Sequence, residues 1–335
     1  MILPTVLVIT LGGTITMTAA ADGTIVPTLN ADDLIRSVPG LGEVARIEAV
    51  SLMTRPGASL TPADILATAR RIEDGLAGGA SGAVVIQGTD TIEETAFLLD
   101  LLLSTQAPVV VTGAMRGAMA PGADGAANLL ASVKVAAAER ARNYGVLVVL
   151  NDEIHSARFV QKSHTFLPSA FQSPSVGPVG HVVEGVPRFN LRFAPKPARN
   201  VPTAAGGEFP AVALLTTVLG DDARLLGAVR SSGYAGLVVE AMGAGHVPDW
   251  QVAGLEDLAR QIPVILSTRV PSGPVLSKTY GFAGSETDLL SRKLISAGTL
   301  SSKKARLLLM YCLWQGLAAD AIAETFHLHQ CAFND

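Results

Sequence analysis

Short apolar runs rich in β-branched residues return along this chain, with longer segments of helical period between many of them, and that alternation restricts the fold more than any other feature. The runs occupy residues 5 to 11, 83 to 87, 108 to 112 and 145 to 150, then 211 to 217, 235 to 240 and 263 to 267. Uninterrupted runs of this length suit strands buried on both faces. Residues 62 to 75, 91 to 104, 124 to 142 and 251 to 260 space their apolar side chains as helices do. Helices alternating with buried strands cover a parallel sheet, so the chain is read as α/β.

A length of 335 residues exceeds what one hydrophobic core usually organises, which predicts two domains. The stretch from Val186 to Pro210 breaks the rhythm with five prolines and a Gly-Gly pair. It is read as a linker over 186–210, between an N-terminal domain over 1–185 and a smaller C-terminal domain over 211–335 that closes with a helix from about Ser302 to Thr325. Hydrophobic residues make up 49% and charged residues 16%, a balance that predicts surface buried between subunits, hence an oligomer. The net charge of −4 comes without a basic run, which argues against nucleic acid as a partner. No apolar run is long enough to cross a bilayer, and no basic leader precedes the first strand, so the expected location is cytoplasmic and no membrane partner is expected. Cys312 and Cys331 alone build neither a disulfide framework nor a zinc site.

In open α/β sheets ligands bind beyond the carboxyl ends of the strands, so the residues after each run are where chemistry is sought. The first run ends in Leu11-Gly12-Gly13-Thr14-Ile15, in which two glycines leave Thr14 at the sheet edge as a candidate nucleophile; taken alone the fragment also reads as a plain strand-ending turn. The second ends in Gln87-Gly88-Thr89-Asp90-Thr91, where Asp90 or Thr91 also reads as a helix cap, with Glu93 or Glu94 closing a capping box. The third leads into Thr112-Gly113-Ala114-Met115-Arg116, and the fourth into Asn151-Asp152-Glu153, with Lys162 following. Hydroxyls, a carboxylate and a lysine at one edge suit nucleophilic attack on an amide or ester carbonyl. The chain has no G-x-S-x-G and no H-E-x-x-H, and His155, His164, His181, His246, His327 and His329 are read as loop or surface residues, the last two as solvated tail.

Gly12-Gly13-Thr14-Ile15, Gly88-Thr89-Asp90-Thr91, Thr112-Gly113-Ala114-Met115-Arg116 and Lys162, in this order and spacing, resemble the bacterial-type L-asparaginases. Thr268-Arg269-Val270, Tyr280-Gly281-Phe282 and Lys304-Ala305-Arg306 extend the resemblance through the C-terminal part. The resemblance implies an N-terminal flavodoxin-like parallel sheet flanked by helices, a smaller C-terminal α/β domain and a homotetramer. It implies hydrolysis of L-asparagine to L-aspartate and ammonia through a threonine acyl-enzyme, with no cofactor and no metal. Thr14 is then the nucleophile, Thr89, Asp90 and Lys162 form a triad, and Gly13, Gly88, Ser59, Ala114 and Glu286 contact the substrate, Glu286 from a neighbouring subunit. A free lysine titrates near about 10.4 and must lose a proton to act as a base, so Lys162 is read as one link of a proton relay.

Three substrate contacts depart from the family pattern. No tyrosine precedes Tyr144, although the family commonly has one in the loop after the nucleophile. Where a Ser-Gln pair usually meets the substrate's carboxylate, the chain reads Arg55-Pro56-Gly57-Ala58-Ser59, leaving Ser59 or Arg55 to serve. An asparagine-rich turn is replaced by Gly243-Ala244-Gly245-His246. The alternatives are therefore a hydrolase of another small amide (L-glutamine, D-asparagine or a modified amide) or a catalytically silent amino-acid-binding relative.

Overall fold

The computed structural model describes residues 3–12, 17–19, 25–27, 36, 38–193 and 207–330. The chain divides into two compact units, Met1–Val201 and Pro202–Asp335.

The strands of the first unit are β1 (Thr5–Thr10), β2 (Met17–Ala19), β3 (Ile25–Pro27), β4 (Arg46–Ser51), β5 (Gly82–Ile86), β6 (Val109–Thr112), β7 (Val146–Leu150), β8 (Glu153–Ser156), β9 (Gln161–Lys162), β10 (Phe171–Gln172), β11 (Gly180–Val183) and β12 (Val186–Phe189). Eight of them form one sheet in the order β12-β11-β8-β7-β6-β5-β1-β4. β4, β1, β5, β6 and β7 are mutually parallel, and β8, β11 and β12 extend the sheet antiparallel. The five parallel strands follow the flavodoxin-like order, with the sense in which strands are added reversing between β1 and β5. That is where a ligand crevice belongs.

Both faces of this sheet are covered, as the continuous apolar runs require. On one face Val6, Val8, Val84, Ile86, Val110, Leu147 and Val149 pack against Leu129, Val133 and Ala136 of a helix over Gly125–Ala136. The alternate residues Leu7, Ile9 and Val85 are equally buried. A side chain at Gly75, in the helix Pro62–Ala77, would strike Leu7 at 2.5 Å, which shows how closely that helix lies on the second face. Its start is set by sequence: Pro62 opens the first turn, and Thr61 and Asp64 cap each other reciprocally at 3.2 and 2.9 Å. The helix Ile92–Leu102 has no side-chain cap, contrary to the expectation for Asp90 and Thr91. The Thr91 hydroxyl is engaged elsewhere, donating to Gly57 O at 2.9 Å.

In the second unit β13 (Val212–Thr216), β14 (Gly236–Ala241), β15 (Val264–Thr268) and β16 (Ile295–Ser296) form a parallel sheet in that order. Its core gathers Leu237, Val239, Leu266, Leu255 and Leu289. Three expectations change. β12 pairs with β11 from Val183↔Val186 to Gly180↔Phe189, so Val186–Phe189 belong to the first unit's sheet rather than to a linker. The closing helix is two helices, Ser302–Trp314 and Ala319–Gln330, with Gly316 at φ 70 between them. His329 is a buried part of the second, its Nδ1 2.9 Å from Thr325 O, not solvated tail.

Candidate active site

Beyond β1, Leu11 N donates to Ile86 O and Arg55 N donates to Leu11 O, both at 2.8 Å, so the chain after β1 is held between its neighbours' ends. Gly12 takes φ +109, and a Cβ there would lie 2.6 Å from Arg55 O; only glycine fits both demands. Gly13 and Thr14 lie outside the described residues.

Gly88 is extended at φ −65 and ψ 144 and leads into a 3₁₀ turn over Thr89–Thr91. The turn buries Thr89 and leaves Asp90 exposed. Two hydrogen bonds fix it: Gln87 Nε2 donates to Thr91 Oγ1 at 3.1 Å, and Thr91 Oγ1 donates to Gly57 O. A second 3₁₀ turn, Gly57–Ser59, thus rests on the first, close enough that a Cβ on Gly57 would meet Gly88 O at 2.7 Å.

Lys162 comes from a separate ribbon of β9 and β10, in which it pairs with Phe171. Its Nζ lies 2.9 Å from Thr89 Oγ1 and 3.1 Å from Asp90 Oδ1. The structure therefore joins the three residues that the sequence leaves 72 and 73 positions apart. An ion pair with one exposed partner stabilises a fold by about 0–1 kcal/mol, so the cluster is not what holds the ribbon in place. Asp90, Lys162, Ser163, His164 and Thr165 line an open cleft of about 700 Å³. A hollow of similar size, about 730 Å³, is lined by Leu3, Thr5, Val38, Leu41 and Arg46 at the opposite, amino end of β1 and β4, away from these hydroxyl and amine groups.

A brace beside the site has no counterpart in the sequence reading. Asp124 accepts from Met115 N at 3.0 Å and Arg116 N at 2.9 Å, and Asn128 donates to Gly113 O at 3.0 Å while accepting from Asn151 N at 2.9 Å. This fixes the loop after β6, where Gly113 abuts the Thr89 methyl. The only signal in the sequence is Asp124 and Asn128 spaced four apart at the start of an otherwise apolar helix.

The other expected contacts are placed unevenly. Ser59 is exposed on the turn that rests on Thr89–Thr91. Arg55 is paired with Asp64 at 2.9 Å. Ala114 is buried with its methyl in the core, so only its backbone is left to face a ligand. Glu286 does not project outward: it is fully buried in the second unit, accepting from Thr279 N at 3.0 Å and Tyr280 N at 2.9 Å, with His246 Nε2 3.3 Å away.

Burial pushes the Glu286 carboxyl up, but the Tyr280 and Thr279 backbone N–H groups and His246 outweigh it and hold the group below its ordinary value of 4.5. The folded state thus gains stability from Glu286 above pH 4.5 and loses it as pH falls below that value. Glu286→Gln, which cannot titrate, is expected to be less stable than the parent at neutral pH, with the gap narrowing in acid. Denaturant titrations at the two conditions measure it, and a gap independent of pH would contradict it.

Residues 5–194 match the family model described as Asparaginase, N-terminal, and residues 211–326 match the Glutaminase/Asparaginase C-terminal domain. The chain belongs to the asparaginase family. Among asparaginase relatives, L-asparaginase 2 of Bacillus subtilis is 32% identical over 93% of this chain and 83% of its own length. A probable L-asparaginase of Deinococcus radiodurans is 35% identical over 97% of both chains. The crystal structure of a probable cytoplasmic L-asparaginase from Campylobacter jejuni superposes with a TM-score of 0.87 at 32% identity, covering 97% of this chain and 99% of that one. The N-terminal asparaginase match takes in Thr14, Thr89, Asp90 and Lys162 together.

Proposed function

We propose that this protein is an L-asparaginase, hydrolysing L-asparagine to L-aspartate and ammonia. The observation that carries the reading is Lys162 Nζ bridging Thr89 Oγ1 and Asp90 Oδ1 at the carboxyl edge of the sheet. Thr14, four positions after the end of β1 in the sequence, acts as the nucleophile. Its oxygen attacks the side-chain amide carbon, and the oxyanion is held by backbone N–H groups near Thr14 and Thr89, a kind of contact worth about 3–4 kcal/mol per donor. The C–N bond breaks as nitrogen takes the proton given up by the Thr14 hydroxyl, releasing ammonia and leaving a Thr14 ester. Water, giving its proton to the Thr89–Lys162–Asp90 relay, then attacks the ester, releasing aspartate and regenerating the Thr14 hydroxyl. Asp90, exposed beside the lysine, faces the substrate's α-ammonium group.

The reading assigns no cofactor, a homodimer or homotetramer, and a cytoplasmic location. Exposed Leu219, Leu225 and Trp250 support an oligomer. No helix among the described residues is long and apolar enough to cross a membrane.

A second reading, hydrolysis of another small amide, is favoured by Arg55 being held by Asp64 and by Ser59 standing where a Ser-Gln pair is usual. Ammonia release from L-asparagine, L-glutamine, D-asparagine and succinamide-like amides separates the two. L-Asparagine is expected to be the best substrate. Turnover of another amide alone would keep the reaction and change the substrate, and silence across the panel would leave an amino-acid-binding protein.

A further inference from the structure

Three polar residues outside the candidate site are linked in a way the reaction above leaves unused. His155 on β8 is 1% exposed, its Nδ1 lies 3.0 Å from Ser173 Oγ, and its Nε2 lies 3.2 Å from Glu153 Oε2. The residue types are those of a hydrolytic relay, but Ser173 is only 5% exposed, and a nucleophile closed off from solvent meets no substrate. The trio calls for a different role.

Its place in the fold supplies one. Lys162 is carried on the β9–β10 ribbon, which is not part of the main sheet. Ser173 follows β10 directly, two residues from Phe171, the partner of Lys162 in the ribbon. His155 is in the main sheet, where its strand pairs with β7. The His155–Ser173 bond is therefore a buried tie from the sheet to the ribbon that presents the lysine.

The proton order of the tie follows from its ends. An ionised Glu153 only accepts, so in a neutral imidazole Nε2 carries the hydrogen and donates to it, and Nδ1 is left to accept from the Ser173 hydroxyl. Burial raises the Glu153 carboxyl above its ordinary value while the charge of His181, across the β8–β11 pairing, opposes that shift.

We infer that His155, through Ser173, is a positioning residue that sets the distance between Lys162 Nζ and Thr89 Oγ1. The inference rests on the amidohydrolase reading given above. Displacing a catalytic group by about 1 Å costs on the order of a hundredfold in rate, whereas substrate affinity depends on groups carried elsewhere.

The test compares His155→Asn, His155→Gln and Ser173→Ala with the parent and with Lys162→Met in the full-length protein. Asparagine places a polar atom near the Nδ1 position, while glutamine places one near Nε2. His155→Gln and Ser173→Ala are expected to lower kcat by about ten- to a hundredfold with KM within about twofold, and His155→Asn is expected to restore most of kcat. Thermal unfolding is followed in parallel. Parental kcat in Ser173→Ala and His155→Gln, or equal losses in the asparagine and glutamine variants that simply track lowered unfolding temperatures, would overturn the inference. If these variants keep full turnover while Lys162→Met loses it, the positioning role fails and the reading of the site stands. If Lys162→Met itself keeps full turnover, the reading fails and takes the positioning role with it.

Discussion

Lys162→Met is expected to lower kcat for amide hydrolysis by about 10²–10⁴-fold, the range a positioned proton-transfer group contributes. Methionine keeps the length and apolar character of the stem but removes the amine that meets Thr89 Oγ1 and Asp90 Oδ1. The fold should barely register the change. The lost ion pair has an Asp90 side chain 63% exposed, and such pairs contribute about 0–1 kcal/mol, a shift of at most roughly 2–4 °C in the unfolding midpoint. Steady-state ammonia release and thermal denaturation on the same preparations measure both quantities. Parental turnover would remove Lys162 from the reaction, and a collapse in stability would make it a structural residue instead.

How much of the fold is legible in the sequence follows from burial. β1, β5, β6, β7, β14 and β15 are covered on both faces, so each leaves an unbroken apolar run in the sequence. β4 is the edge of the sheet, and its Arg46, Glu48 and Ser51 are exposed, so no run marks it even though it pairs with β1 along its whole length. The antiparallel extension stays hidden as well: β11 and β12 are short and half-buried, and β8, though buried, has Ile154 as the one apolar residue among its four. Helix ends blur where tertiary contacts take over: Thr91 has the chemistry of a cap, but its hydroxyl ties two turns together.

The site divides along a similar line. That Thr89 and Asp90 follow a buried strand can be read locally, whereas the meeting of Lys162 with them rests on a ribbon whose strands have two residues each and no periodicity to betray them. In the sequence that lysine is a candidate because it follows the fourth run, and the family resemblance gives it its role. Asp124, Asn128 and His155 escape a reading of the sequence because a single polar residue carries no sign of what it will meet. Glu286 too meets groups that the sequence does not announce, accepting from two backbone N–H groups inside its own unit.

Gly57→Ala is the second large effect expected, and it acts through backbone packing, with no charge removed. The added Cβ would lie 2.7 Å from Gly88 O and 3.0 Å from Gly88 C, and both are backbone atoms that no rotamer change can move aside. Relief requires the turn over Thr89–Thr91 to shift away from Gly57, stretching the Thr91 Oγ1 to Gly57 O bond of 2.9 Å. The same shift moves Thr89 Oγ1 relative to Lys162 Nζ. A displacement approaching 1 Å is expected to lower kcat/KM by on the order of a hundredfold, with a stability loss of about 1–3 kcal/mol from overpacking. Gly42→Ala is the matched control: a Cβ there meets nothing within 4 Å, so activity should be unchanged. Steady-state kinetics with both variants decide the matter. Parental activity in Gly57→Ala would mean the two turns move independently, and the fixed geometry of Thr89 would then need another support.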